Sequence, residues 1–72
     1  MKVFYVCRQD YEEDGKTRKG DIKFLTIDNG WSELEGYGAV FRECHATYLA
    51  EKHRVSFRDY CASYSIAQAN ND

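Results

Sequence analysis

Residues 22–30, with the sequence IKFLTIDNG, decide the fold, because the spacing of the apolar residues changes there. The chain before Asn29-Gly30 is rich in Val, Phe and Tyr, which favour β-strands. The chain after it places apolar residues three and four positions apart, which is typical of helices. We therefore predict one α+β domain over residues 1–72. It consists of an antiparallel β-hairpin, with a third strand as an open alternative, packed against two C-terminal helices.

The predicted hairpin has strands at residues 2–9 and 22–28, joined by a tight turn at Asp14-Gly15. This dipeptide supplies the positive φ angles that a two-residue turn needs. Centring the hairpin on the turn places Tyr5 opposite Phe24. It also forms a second apolar pair and three pairs of opposite charge, all of which stabilise an antiparallel ladder. These further pairs are Phe4 with Leu25, Glu13 with Lys16, Asp10 with Lys19 and Arg8 with Asp21.

Two helices are predicted after the hairpin. The first spans residues 39–53, and its apolar stripe comprises Val40, Phe41, Cys44, Thr47 and Tyr48. The second spans residues 57–68, and its stripe comprises Phe57, Tyr60, Cys61 and Tyr64. A third strand that starts at Val55 is the competing interpretation, because Val55, Phe57 and Tyr60 also favour strands.

Both faces of the predicted hairpin are apolar near its base, although an antiparallel sheet with one solvated face should alternate. We assign one face to the core, namely Val3, Tyr5, Cys7, Ile22 and Phe24. The other face has an apolar centre ringed by charge, an arrangement typical of interfaces. The predicted partner-binding residues are therefore Phe4, Val6, Lys23, Leu25, Ile27 and Trp31.

The composition narrows the class of protein. The formal net charge is -2, which argues against a general nucleic-acid binder. Aromatic residues make up 15% of the chain, and Tyr and Trp are favoured in the cores of interfaces. No apolar run is long enough for a signal peptide or a membrane span. We expect a complete cytoplasmic protein that does not bind a membrane.

The three cysteines, Cys7, Cys44 and Cys61, form no Cys-x-x-Cys pair. Each falls at an apolar position of a predicted element, and reduced cysteine behaves as a small buried hydrophobe. Three reduced core thiols in a cytoplasmic protein are therefore the leading interpretation. One disulfide with one thiol left over is the alternative.

No pattern in the sequence predicts catalysis or metal binding with any specificity. Positions of a calcium loop are matched by Asp10, Glu12, Asp14, Gly15 and Asp21, but lysines crowd the loop and its last ligand is not Glu. The candidate zinc ligands, whose spacing matches no zinc finger, are Cys44, His45, His53 and Cys61. A Cys-His nucleophile needs a pocket for which a chain this short has little room. We expect no catalytic residue, no metal, no cofactor and no enzymatic activity.

The leading functional hypothesis is a non-enzymatic protein-binding module that occupies a surface of a larger partner. By analogy with small proteins of phages and other mobile elements, it would block a host machine, including a defence nuclease. The alternative is a small nucleic-acid-binding or regulatory accessory protein, whose basic patch comprises Lys16, Arg18, Lys19 and Lys23. A third hypothesis is a homodimer joined through the spare face of the sheet.

Overall fold

The chain forms a four-stranded antiparallel sheet and an α-helix, in a computed structural model that describes residues 2–56 and 61–69. The elements are β1 (Phe4–Asp10), β2 (Lys23–Leu25), β3 (Trp31–Ser32), a 3₁₀ turn (Glu35–Tyr37), α1 (Glu43–Ser56) and β4 (Ala62–Gln68). The strand order is β3-β2-β1-β4. The predicted α+β class is confirmed, but these residues contain one α-helix and not two. None of the helices in this part of the chain has the length and apolar character to cross a membrane.

The predicted second helix is wrong, because residues 62–68 form strand β4. This strand pairs with β1 along its whole length. Tyr64 is buried, whereas its neighbours Ser63 and Ser65 are exposed, which is the two-residue period of a half-buried strand. The alternation of serine with larger apolar residues is the signal in the sequence that distinguishes this strand from a helix.

The boundaries of α1 also differ from the prediction. The helix begins at Glu43 instead of residue 39, and it continues through Val55 to Ser56. The competing prediction of a strand that starts at Val55 is wrong at its start, because Val55 lies in α1, although a strand does follow the helix and begins at Ala62. The stripe residues Phe57 and Tyr60 lie outside the described residues.

The predicted apolar stripe of the first helix is wrong as well. Four of its five members are exposed, namely Val40, Cys44, Thr47 and Tyr48. The buried residues of α1 are instead Ala46 and Ala50. Small side chains let the helix lie close to the sheet, and the sheet supplies most of the core volume through Val6, Leu25 and Tyr64.

The tip of the β1–β2 hairpin keeps the predicted register. The backbone N–H of Lys19 donates to the carbonyl of Asp10 at 2.9 Å, and Tyr11 forms a bridge with Arg18. Gly15 has the expected positive φ, at 71°. The position of the predicted turn is therefore confirmed, but its two-residue form is wrong, because Gly15 has a positive φ and Asp14 does not.

At the base, the pairing of β1 with β2 is offset by two residues. Cys7 lies opposite Phe24, so the predicted pair of Tyr5 with Phe24 is wrong, although the two rings still meet edge to face with centroids 5.0 Å apart. The offset arises between two pairs, Asp10 with Lys19 and Arg8 with Lys23. Gly20, whose φ is 75°, lies in the longer segment between them and bends it. The predicted pairs Phe4–Leu25 and Arg8–Asp21 are wrong for the same reason.

The core lies on the opposite face of the hairpin from the one that the sequence predicts. Because the offset is even, side chains keep their predicted faces, but α1 covers the face with Val6, which is fully buried, and Leu25, which is 2% exposed. The other face carries Tyr5 and Phe24, and Gly38 lies against both rings. Each face is therefore covered near the base of the hairpin.

The outer strands β3 and β4 explain why α1 packs against the face of the sheet that carries Val6 and Leu25. Trp31 of β3 and Tyr64 and Ile66 of β4 extend the apolar surface around Val6 and Leu25. On the other face, β4 presents the exposed residues Ser63, Ser65 and Ala67. The helix covers the face that carries these larger apolar side chains, because burial of apolar surface drives packing.

Candidate functional site

The six predicted partner-binding residues are not brought together on one exposed surface. Val6 and Leu25 are buried beneath α1, Phe4 and Trp31 are partly buried against the same core, and Lys23 is ion-paired with Asp10. Ile27, in contrast, is 93% exposed. A partner that contacts Ile27 would therefore use a different surface from the one predicted.

Three large apolar side chains are exposed on neighbouring segments at one end of the sheet. Ile27 in the β2–β3 turn is 93% exposed, Leu34 is 62% exposed and Tyr37 is 67% exposed. A backbone bridge between Thr26 and Gly38 joins the β2–β3 turn to the end of the 3₁₀ turn. Within the 3₁₀ turn, the N–H of Tyr37 donates to the carbonyl of Leu34 at 3.0 Å. We call Ile27, Leu34 and Tyr37 the end patch.

The end patch lies in a stretch of chain that carries only acidic charge. Residues 24–41 contain Asp28, Glu33 and Glu35, all exposed, and no Lys or Arg. The Asp28 carboxylate accepts hydrogen bonds from the Thr26 hydroxyl and from backbone N–H groups in the turn, which lower its pKa. At neutral pH the end patch is therefore accompanied by negative charge.

The sequence analysis did not predict that Leu34 and Tyr37 lie on the surface, although one feature of the sequence indicates their exposure. Residues 24–41 combine exclusively acidic charge with Gly36 and Gly38, two residues that disfavour a regular helix. Leu34 and Tyr37 lie beside these glycines and outside β2 and β3, so they have no α-helical or strand face through which to enter the core. Their exposure follows from that lack of periodicity.

The basic patch predicted for nucleic acid borders an open cleft of about 460 Å³. Asp10 lines this cleft and accepts hydrogen bonds from Lys23 Nζ at 2.8 Å and from Arg8 Nε at 2.7 Å. The bond from Lys23, with the bond from Arg8 and the charges of both, lowers the pKa of Asp10. Lys19 and Tyr11 line the same cleft. The negative charge of Asp10 offsets part of the positive charge of the cleft, which weakens the attraction of the cleft for phosphate.

The Asp14 carboxylate, a candidate calcium ligand, caps the hairpin tip. It accepts hydrogen bonds from the N–H and hydroxyl of Thr17 and from the N–H of Lys16, and these bonds lower the pKa of Asp14 to about 2. The N–H of Glu12 donates to the carbonyl of Thr17, so the loop is longer than two residues. Within residues 2–56 and 61–69, no three or more His, Cys, Asp or Glu side chains are grouped to hold a metal ion.

The two histidines, both candidate zinc ligands, pack against different aromatic residues. The ring of His53 stacks on Tyr64, with centroids 5.6 Å apart, and meets Trp31 edge to face at 5.3 Å. Burial is the main cause that lowers the pKa of His53, which favours the neutral ring. His45 instead meets Phe41 edge to face at 5.1 Å. Both histidines therefore contribute to packing.

Cys7 and Cys44 differ strongly in their exposure. Cys7 is 3% exposed, and burial raises the pKa of its thiol. Cys44 is exposed on α1, so its predicted place in the core is wrong, because the helix turns Ala46 and Ala50 toward the sheet. Cys61 is partly buried.

We expect iodoacetamide to modify Cys44 about tenfold or more faster than Cys7 in the native protein, because only an accessible thiolate reacts. Peptide mass spectrometry after short labelling times measures the two rates. The Cys44→Ser variant serves as the control and should lose the fast site while Cys7 stays slow. Modification of Cys7 at the rate of Cys44 would contradict its burial.

Comparison with known proteins assigns no family to the chain. No family model, no curated protein and no solved structure matches it.

Proposed function

We propose that this chain is a non-enzymatic protein-binding module that docks on its partner through the end patch. The observation that carries the proposal is the exposure of Ile27, Leu34 and Tyr37, each at 62% or more, on adjoining backbone segments. Aromatic and aliphatic side chains surrounded by polar groups supply most of the energy at protein interfaces. Such docking needs no catalytic residue. We propose that it takes place in the cytoplasm.

The partner that fits the end patch is a protein with an apolar depression bordered by Lys or Arg. The carboxylates of Asp28 and Glu35 attract such a surface and speed association, while the apolar side chains supply affinity. Nucleic-acid enzymes have basic surfaces of this kind. By analogy with small proteins of phages and mobile elements, docking there would block a host machine such as a defence nuclease.

The test of this function compares two matched double variants. Ile27→Ala with Tyr37→Ala removes one aliphatic and one tyrosine side chain from the end patch. Val55→Ala with Tyr48→Ala likewise removes one aliphatic and one tyrosine side chain, here from α1, where the two side chains are 65% and 60% exposed. The unmodified chain is used to capture proteins from a lysate of the source organism, and each captured protein is identified and purified. Calorimetry then measures its binding to the unmodified chain and to the two double variants.

We expect the end-patch variant to bind the captured protein at least about tenfold more weakly, and the α1 variant to bind it unchanged. The affinity should also fall with added salt, because the carboxylates beside the end patch contribute to binding and salt screens their charge. Equal binding by the two double variants would contradict docking through the end patch. Capture of no protein that binds in purified form would contradict the function itself.

A nucleic-acid-binding accessory protein is the second candidate. In its favour, Lys19, Lys23 and Tyr11 line one cleft, which combines cations with an aromatic ring. Titration with a labelled single-stranded oligonucleotide distinguishes the two functions. Binding that falls steeply with salt and is lost in Lys19→Glu, but is unchanged in the end-patch variant, would favour nucleic acid.

A further inference from the structure

Strand β4 lies at an edge of the sheet, and its hydrogen bonds to β1 show which backbone groups point away from the sheet. The N–H of Ala69 donates to the carbonyl of Val3 at 2.9 Å, and the N–H of Tyr11 donates to the carbonyl of Cys61 at 2.7 Å. Hydrogen bonding alternates along an antiparallel pair, so odd-numbered residues bond to β1 throughout this ladder. The even-numbered residues of β4 therefore direct their N–H and C=O groups outward.

A contact from α1 supports this direction. The Arg54 guanidinium donates to the carbonyl of Tyr64, an even-numbered residue, at 2.8 Å. Arg54 is also ion-paired with Glu51 on the same helix. Within residues 2–56 and 61–69, this is the one side-chain hydrogen bond to an outward group of β4 that the structure shows. The outward groups of Ala62, Ile66 and Gln68 point in the same direction, and the structure shows no side-chain hydrogen bond to them from the described residues.

The sequence of β4 has none of the features with which proteins usually prevent pairing at a sheet edge. Edge strands are commonly protected by charged side chains, proline, bulges or short length. The seven residues of β4, ASYSIAQ, include no charged residue, proline or glycine, and they pair with β1 without a bulge. The opposite edge, β3, has two residues and is protected by its length.

We propose that β4 pairs in antiparallel orientation with β4 of a second copy of this chain, about a two-fold axis at Ser65. Ser65 is the midpoint of residues 62–68. In this register the outward groups of Ala62 meet those of Gln68 in the other copy, and those of Tyr64 meet Ile66. Every outward N–H then has a carbonyl partner, and the two four-stranded sheets become one continuous sheet.

The side chains of β4 suit pairing with themselves, which favours a second copy over a foreign strand. Ser65 meets Ser65 at the axis, where small hydroxyl side chains tolerate close approach and can hydrogen-bond. Tyr64 lies opposite Ile66, and because Tyr64 is already 5% exposed within its own core, this pair brings no bulky exposed side chain into the seam. Ser63 meets Ala67, and both are exposed and small. No two like charges meet within the paired strands.

The bond from Arg54 is compatible with this dimer, because a carbonyl oxygen has two lone pairs and Tyr64 can accept a second hydrogen bond. A pair of seven-residue strands buries less area than a standard interface, so we expect a reversible dimer that increases with concentration. The dimer is independent of the proposed partner, because the end patch lies on the β2–β3 turn and the 3₁₀ turn.

Charge substitutions at the axis test the proposal by sedimentation velocity over a concentration series. In Ser65→Lys two ammonium groups face each other across the axis, and in Ser65→Glu two carboxylates do. The matched control is Ala67→Lys, on the same strand and face, whose two lysines are about 13 Å apart along the paired strands. Far-UV circular dichroism checks that each variant is folded.

We expect the unmodified chain and Ala67→Lys to dimerise alike, and each Ser65 variant to dimerise about tenfold or more weakly, because like charges directly opposite destabilise a strand pair. An equimolar mixture of the two Ser65 variants should dimerise again, because Lys then faces Glu. A monomeric unmodified chain at all concentrations, unimpaired Ser65 variants, or a mixture that stays monomeric would each overturn the proposal. Neither Ser65 variant should alter binding through the end patch, so the two proposals fail separately.

Discussion

Replacing Leu25 by alanine is expected to lower the free energy of unfolding by about 2–5 kcal/mol. Leu25 is 2% exposed and packs in the core with Val6, Ala46 and Tyr64. Truncation removes its buried methyl groups and leaves a cavity that close-packed neighbours fill only in part. The whole stability of a chain this size is about 4–11 kcal/mol, so the loss is a large fraction of it.

The control for this prediction is Ile27→Ala, two residues along the same chain. Ile27 is 93% exposed, so we expect its truncation to change stability by less than about 0.5 kcal/mol. Urea unfolding followed by tryptophan fluorescence measures both variants, since Trp31 lies against the core. The assignment of the two faces of the sheet would be wrong if Ile27→Ala were the more destabilising change.

Substituting Gly38 by alanine is expected to destabilise the chain by about 1–3 kcal/mol through overpacking. A Cβ atom at this position would lie 2.9 Å from Cδ1 of Tyr5 and 3.1 Å from Cβ of Phe24. The backbone of Gly38, with φ -71° and ψ 130°, suits any residue, so the cost is steric and not conformational. The 3₁₀ turn would have to move away from the sheet to admit one methyl group.

Gly36→Ala in the same turn is the matched control, because a Cβ there would meet nothing within 4 Å. We expect this change to be neutral, or to stabilise by up to about 1 kcal/mol through the lower entropy of the unfolded chain. Thermal unfolding of both variants and the unmodified chain by circular dichroism gives the comparison. Equal melting temperatures for the two variants would show that Gly38 is not in tight contact with the sheet.

The turns and the fold class could be predicted from the sequence, because both depend on local chemistry. Asp14-Gly15 and Asp28-Asn29-Gly30 mark turns that the structure contains, and Gly15 and Asn29 have the positive φ angles that such positions need. Two stretches rich in strand-forming residues on either side of Asp14-Gly15 indicated the hairpin. These features need no knowledge of distant parts of the chain.

The register and the core face could not be predicted, because they depend on non-local packing. The two-residue offset near Gly20 keeps side chains on their faces, so it leaves no trace in the pattern of apolar residues. The choice of face depends on Trp31, Tyr64 and Ile66, which reach the core only once β3 and β4 have paired. The helix stripe was misassigned because the buried side of α1 is made of alanine.

The candidate site was predicted only at Ile27. Leu34 and Tyr37 join it through a bridge between Thr26 and Gly38 that sequence spacing does not reveal. Val6 and Leu25 were assigned to a partner because an apolar face ringed by charge has the same composition whether a helix or another protein covers it. The composition therefore identified an apolar face that must be covered. It did not show whether a helix of this chain or another protein covers that face.

The long ladder between β1 and β4 has a consequence for the speed of folding. Its closest pair, Asp10 with Ala62, already joins residues 52 positions apart (62 − 10). Contacts between such distant residues slow folding, since the chain must lose loop entropy before the ladder stabilises it. During synthesis β1 is made before its partner strand β4, and the chain between them has to be made first. In that interval β1 lacks a neighbour on one side, and its core residue Val6 lacks Tyr64. This unpaired edge and exposed apolar surface make the nascent chain prone to aggregation until β4 pairs with β1.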